Sequence, residues 1–158
     1  LVGVIYERTH DRLISHMGGL NARMPAYAGL FGLFVFASIG LPGLSGFVGE
    51  FLVMLGAFQY SGWVAAWAML VVIAGAVYML WMFQRAFFTV PSEWVRRSWA
   101  GLRDLTRIEW LSLAPLVVLV VALGVFPGPV LEATAQPVER ILDAVQSASG
   151  LNLVAWPW

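Results

Sequence analysis

Between Arg23 and Arg85 the chain carries a single charged residue, Glu50. A helix that crosses a lipid bilayer needs about 20 consecutive, mostly apolar residues, so a stretch this long can supply more than one crossing. Charged residues make up 11% of the chain and hydrophobic residues 60%, whereas soluble domains have roughly 25% and 45–50%. The pattern predicts an all-α, polytopic transmembrane helix bundle, with crossings at residues 26–59, 64–88 and 110–126.

The first of these runs, residues 26–59, has a helix-breaking sequence at its centre. Pro42 has no amide hydrogen and disfavours helical geometry at the residue before it. It lies between Gly40 and Gly43, which make the backbone more flexible. We therefore expect one broken helix, made of two half-helices that are interrupted between Gly40 and Gly43. The alternative is a re-entrant hairpin of two short helices.

The segments outside the crossings are short. Residues 130–149 predict an amphipathic C-terminal helix, and Gly150 is expected to end it. Such a helix suits either a membrane surface or a partner protein. Because Leu1 begins within an apolar segment, we interpret the sequence as the C-terminal portion of a longer membrane protein. The other segments are predicted as the end of a helix at residues 1–6 and two loops at residues 7–25 and 90–109.

The distribution of arginine predicts an orientation. With three crossings, the two loops lie on the same side of the membrane, and only Arg140 lies on the other. Because positively charged loops stay in the cytoplasm, the loops are expected to be cytoplasmic and the C-terminus external. A hairpin would separate the two loops, so this distribution favours a single broken crossing. The arginines on the loop side are Arg8, Arg12, Arg23, Arg85, Arg96, Arg97, Arg103 and Arg107.

Composition excludes several classes of function. The chain has no Cys, so it cannot form a disulfide, a thiolate metal site or an iron–sulfur cluster. Its basic and acidic residues balance, and it has no basic stripe that would bind nucleic acid. His10 and His16 do not match a standard metal-ligand spacing, and we interpret them as surface or subunit-contact residues. We find no phosphate-binding glycine loop and no nicotinamide motif.

Glu50 is the strongest candidate for a functional residue. It follows Pro42 by about two helical turns, which places it roughly 12 Å into the second half-helix. An unpaired carboxylate is costly in hydrocarbon, so Glu50 is expected to face a protein interior or a wetted cavity. Beside a broken helix, such a group is interpreted as a proton relay. Gly43, Gly46 and Gly49 leave room for water or for close helix approach.

Several short motifs in the sequence resemble those of one known protein family. The most specific is G-L-P-G-L-S-G-F-V-G-E-F-L at residues 40–52. Over nearly its whole length the sequence resembles subunit M of the proton-pumping NADH–quinone oxidoreductases, or respiratory complex I. The other motifs are Y-E-R-T-H-D-R at residues 6–12, G-G-L at 18–20, A-V-Y-M-L at 76–80, D-L-T-R-I-E at 104–109 and G-V-F-P at 124–127.

The resemblance implies a role for Glu50 and a set of partners. Glu50 matches the family's terminal acid in the central proton path, where related antiporter-like subunits typically carry Lys. The family's other relay groups lie on earlier helices that this sequence lacks. NADH, flavin, iron–sulfur clusters and quinone are implied in partner subunits, with no cofactor and no metal in this chain. The implied partners are other membrane subunits, the lipid bilayer and protons, with no nucleic acid, in a bacterial inner membrane.

Two other functions fit the same residues. A subunit of a cation/proton antiporter or of a membrane-bound hydrogenase would share the fold but use a different driving reaction. A non-conducting structural subunit would use Glu50 only to hold helices together, paired with a cation from elsewhere.

Overall fold

The computed structural model describes residues 1–11, 13, 14, 16–97 and 101–149. Arg12 and Gly150, both of which enter the predictions above, lie outside the described residues. Every regular element in the described ranges is helical, which confirms the predicted all-α fold. The elements are α1 (Val2–Thr9), a 3₁₀ turn (Leu20–Ala22), α2 (Pro25–Ser38), α3 (Ser45–Tyr60), α4 (Gly62–Phe87), α5 (Glu93–Arg97), α6 (Arg107–Val125) and α7 (Gly128–Ser149).

Two helices, α4 and α6, are long and apolar enough to cross a membrane. They contain 26 and 19 residues, which gives lengths of about 39 Å and 29 Å against a hydrocarbon core of about 30 Å. Large apolar side chains along them, such as Trp67, Val71 and Ile108, are exposed. Surfaces of this kind are covered in membrane proteins by lipid or by neighbouring helices.

Helices α2 and α3 are each too short to cross a bilayer alone. They contain 14 and 16 residues, or about 21 Å and 24 Å of helix. The backbone from residue 39 to residue 44 separates them, and this interval includes both Gly40 and Gly43. The interruption therefore lies where the glycine and proline pattern predicts it.

The contacts of α4 show how the two half-helices run. Phe31 and Tyr27, near the start of α2, pack against Phe83 and Phe87 at the end of α4, with ring centroids 6.1 Å and 5.8 Å apart. At the other end, Ser61 alone joins α3 to α4. These contacts fit a chain that runs in one direction through α2 and α3 and returns in α4. A hairpin would instead bring the start of α4 beside the start of α2.

The buried core of the first unit, residues 1–125, gathers at one end of the bundle. It joins α1, the 3₁₀ turn, the start of α2, the end of α4, α5 and Leu102. Short helix α5, Glu93–Arg97, lies within the range predicted as a loop at residues 90–109. The most deeply buried side chains of this core are Leu20, Met24, Tyr27, Phe87, Val95 and Leu102.

The second unit begins at Phe126, and its described part consists of α7. This helix is amphipathic, as predicted, and starts at Gly128 rather than at residue 130. Most of its large apolar side chains, such as Leu131, Val138 and Ile141, are exposed. The predicted apolar stripe comprises Leu131, Ala135, Val138, Leu142 and Val145.

Candidate functional site

Helix α2 ends in a Schellman motif built around Gly40. The amide of Gly40 donates to the carbonyl of Ala37 at 3.4 Å, and the amide of Leu41 donates to the carbonyl of Phe36 at 3.0 Å. The motif needs a left-handed residue just past the helix end, and Gly40 supplies it with a φ of +73°. Glycine takes this conformation without the steric cost that a Cβ would add. The helix therefore stops for a local reason that the sequence specifies.

A tight turn then leads into α3. The amide of Leu44 donates to the carbonyl of Leu41 at 3.1 Å, with Pro42 and Gly43 in the two central positions. Gly43 has a φ of +92°. Proline followed by a residue with positive φ is the pattern of a type II turn. Two glycines are thus required here for two different backbone reasons.

Glu50 is the sixth residue of α3. It lies about 8 Å along that helix rather than the predicted 12 Å, because α3 begins at Ser45 and not at Pro42. Helical side chains lean toward the N-terminus of their helix, so its carboxylate reaches back to the interruption. There Oε2 of Glu50 occupies the space that a Cβ on Gly40 would need. The acid and the interruption are therefore in direct contact.

Two further glycines allow other helices to approach the interruption. A Cβ at Gly46 would overlap the carbonyl oxygen of Ala37, at the end of α2. A Cβ at Gly124 of α6 would overlap the backbone of Gly43 and Leu44. The sequence pointed to Gly46 but not to Gly124, which is almost eighty residues away along the chain. Gly49, predicted with Gly46, has open space around it.

The described residues provide no ion pair to Glu50. The three ion pairs found in residues 1–11, 13, 14, 16–97 and 101–149 lie elsewhere in the first unit. Within these ranges Glu50 as a residue is partly exposed rather than buried. In the described part of the chain, Glu50 is therefore not a structural acid paired with an arginine.

An apolar cavity of about 650 Å³ lies beside the interruption. It is lined by one face of α2, by residues 41–44, and by Phe83 and Phe88 near the end of α4. Asn21 is the one side chain in this lining with an amide group. Glu50 is not among the residues that line it.

The opposite end of α2 is fixed by a distant carboxylate. Asp104 accepts hydrogen bonds from the amides of Ala26 at 2.9 Å and Tyr27 at 3.0 Å, and from that of Leu105 at 2.8 Å. It thereby satisfies two of the amides that a helix N-terminus leaves without partners. Its spacing from Arg107 suggests a local ion pair, but the carboxylate binds these amides instead. A helix start is thus tied to a loop far along the chain.

A partly buried ion pair ties α1 to the start of α6, just after the same loop. Nη2 of Arg8 lies 2.8 Å from Oε2 and 3.0 Å from Oε1 of Glu109, and 3.2 Å from the carbonyl oxygen of Asp104. The side chains of Arg8 and Glu109 are 11% and 21% exposed. Both residues belong to motifs that carry the family resemblance, but their pairing was not predicted. The two motifs therefore meet at one end of the bundle.

Removing the Asp104 carboxylate is expected to loosen this loop. Asp104→Ala leaves the amides of Ala26 and Tyr27 without a cap, which lowers stability by about 1–2 kcal/mol. The population in which the loop is detached from α2 should rise by a factor of roughly 5–30. Trypsin should then cleave faster after Arg103, the neighbouring exposed residue. The measurement is limited proteolysis of the full-length protein in inverted membrane vesicles. Glu93→Ala, at an exposed site, is the control, and equal cleavage of the two variants would contradict the cap.

The histidines do not form a metal site in the part of the chain that the structure describes. His16 pairs with Asp11, and His10 has its ring against Tyr6. No group of three or more potential ligands is found among the described residues. His10 also ends α1 in the left-handed conformation, with a φ of +52°. These residues therefore serve the local structure of the first loop.

The fold and the site together define a class of protein. Apolar helices with an interrupted crossing, and an ionisable group at the interruption, are the architecture of ion-translocating membrane proteins. The family comparison is more specific: the NADH:quinone oxidoreductase/Mrp antiporter transmembrane family matches residues 1–83. The chain belongs to this family, and the resemblance inferred from the motifs is confirmed.

Individual relatives agree with this assignment. The chain is 46% identical over 142 residues to NADH-quinone oxidoreductase subunit M of Rhodobacter capsulatus, which covers 90% of this chain and 27% of that protein. It is 38% identical over 144 residues to NADH-ubiquinone oxidoreductase chain 4 of Marchantia polymorpha, over 90% of this chain and 28% of that protein. The chain thus spans about a quarter of the length of the curated relatives that it matches.

A solved structure shares the fold. The structure described as respiratory complex I from Thermus thermophilus with bound NADH matches with a TM-score of 0.70 and 44% sequence identity. The match covers 80% of this chain and 26% of that chain. The arrangement of apolar helices in the described part of this chain is therefore that of a subunit from the complex.

Proposed function

We propose that this chain is part of a proton-translocating membrane subunit of an NADH–quinone oxidoreductase. The complex would couple electron transfer from NADH to quinone with proton pumping. Its flavin, iron–sulfur clusters and quinone site would belong to partner subunits. This chain itself has no cysteine to bind an iron–sulfur cluster. This chain would supply one end of a proton path.

The observation that carries the proposal is the position of Glu50. It is the one charged residue between Arg23 and Arg85, and its carboxylate lies against the interruption between α2 and α3. Backbone that leaves the helical geometry at membrane depth is tolerated where it borders protein or water. A carboxyl at such a point can accept and release a proton, which fits the exit end of a relay.

The proposed orientation, together with Glu50 as the exit, gives the direction of transport. With the Arg-rich loops in the cytoplasm and the C-terminus outside, protons would enter from the cytoplasm and pass along a buried polar axis. They would leave on the outer side, near Glu50. The membrane would be the bacterial inner membrane, and the neighbours would be the other membrane subunits of the complex.

A cation/proton antiporter is the second candidate, because the matching family includes the Mrp antiporters. The test uses the full-length protein with its native partners in inverted membrane vesicles. We expect NADH to acidify the vesicle lumen with or without sodium, as followed by quenching of a pH-sensitive dye. Sodium-dependent proton movement without NADH oxidation would contradict the proposal and favour the antiporter.

A further inference from the structure

Gly40 is subject to two independent constraints, of which Gly43 shares only one. Both residues have a positive φ, of +73° and +92°, so both positions disfavour a side chain on backbone grounds. A Cβ at Gly43 would meet open space, whereas a Cβ at Gly40 would meet the carboxylate of Glu50. The contact with the acid is therefore particular to Gly40.

The atoms that a Cβ at residue 40 would displace belong to the end of a flexible side chain. Its nearest neighbours are Oε2 and Cδ of Glu50, followed by Oε1. A methyl group at residue 40 would therefore have to displace the carboxylate. Within the described ranges no ion pair holds the carboxylate elsewhere, and its oxygens lie beside residue 40.

We infer that Gly40 is a positioning residue that holds the Glu50 carboxylate at the interruption between α2 and α3. This inference rests on the proposed function, because it concerns the acid of the proposed proton path. Proton transfer requires donor and acceptor within about 2.6–3.2 Å, directly or through one water. A displacement of about 1 Å is known to cost enzymes as much as 100-fold in rate. Because Gly40 has no side chain, the Glu50 carboxylate can lie at the interruption. Its position there determines which proton donor or acceptor it can reach.

The experiment compares Gly40→Ala with Gly43→Ala in the full complex. Both variants introduce a Cβ at positive φ, and only the first displaces the carboxylate. Protons pumped per NADH oxidised are measured in vesicles and normalised to the amount of assembled complex. We expect pumping per assembled complex to fall severalfold further in Gly40→Ala than in Gly43→Ala, which adds the backbone strain without the contact with the acid. Equal ratios in the two variants would overturn the inference.

A shortened acid provides the second measurement. In Gly40→Ala/Glu50→Asp the carboxylate is one methylene shorter, which makes room for the added methyl group. The double variant is expected to pump better than Gly40→Ala alone, an effect that general damage to the helix would not produce. If Gly40→Ala does not assemble, the double variant should restore assembly. A double variant no better than Gly40→Ala in either respect would overturn the inference.

The outcomes for Glu50→Gln separate this inference from the proposed function. If Glu50→Gln pumps as wild type does, the proposed function fails. If Glu50→Gln does not pump while Gly40→Ala and Gly43→Ala behave alike, the proposed function stands and the positioning role of Gly40 is wrong.

Discussion

Replacing Arg8 by Ala is expected to lower the amount of assembled protein in the membrane severalfold. The guanidinium bonds both carboxylate oxygens of Glu109 and the carbonyl of Asp104, and it also donates to the carbonyl of Val4 at 3.3 Å. Removing it leaves a partly buried carboxylate without its cation. The loss of stability is about 2–3 kcal/mol, and losses of this size change protein abundance severalfold.

A second ion pair provides the matched control. Arg97 and Glu93 lie 3.8 Å apart, with side chains 83% and 86% exposed. Pairs as exposed as this contribute little, so Arg97→Ala should assemble as wild type does. The measurement is the amount of intact complex on native gels of solubilised membranes. An Arg8→Ala variant that matches Arg97→Ala would contradict a stabilising role for the Arg8 pair.

Coupling between the two partners can be tested directly. Glu109→Ala leaves the guanidinium of Arg8 unpaired and should lower assembly to a similar degree. Because the two substitutions remove the same interaction, the double variant Arg8→Ala/Glu109→Ala should be less impaired than the sum of the single effects. Strict additivity would mean that the pair itself contributes nothing.

The sequence predicts the local features of the fold well. Pro42, flanked by Gly40 and Gly43, marks the end of one helix and the start of the next because each residue has a specific backbone role. The interruption nevertheless occupies more of the chain than the motif alone suggests. A Schellman motif and a tight turn together use residues 39–44, so α3 starts later and Glu50 lies closer to its beginning.

The sequence does not reveal the contacts between distant parts of the chain. Arg8 and Glu109 are 101 residues apart, and the Asp104 carboxylate binds amides 77 and 78 residues away. Local periodicity contains no information on such pairs. Gly124 likewise gives no sign in the sequence that α6 passes against the interruption. These residues contact each other only in the folded structure, so their roles are identified only once the helices are packed together.

Glu50→Gln is expected to abolish most proton pumping while leaving the protein assembled. The amide has nearly the shape of the carboxyl, so contact with Gly40 is preserved and the helices keep their packing. The amide does not ionise within the physiological range, so it cannot take up and release a proton as a relay must. Positioned proton donors and acceptors contribute on the order of 100-fold or more to rate, and a loss of this size is expected.

Glu50→Asp is the matched variant for this prediction. It keeps an ionisable carboxyl at the same position but shortens its reach by one methylene. We expect Glu50→Asp to pump more than Glu50→Gln and less than wild type. An Asp variant no better than the Gln variant would show that an ionisable group at position 50 is not sufficient without the full reach of the Glu side chain.

The most direct measurement is the number of protons pumped per NADH oxidised by the full complex in inverted membrane vesicles. The count is normalised to NADH oxidation by an artificial electron acceptor, which reports the assembled complex independently of the membrane path. We expect Glu50→Gln to oxidise NADH with the artificial electron acceptor as the wild type does, and to lose proton pumping. Proton pumping and quinone reduction by Glu50→Gln equal to those of the wild type would contradict a proton-relay role for the acid at the broken helix.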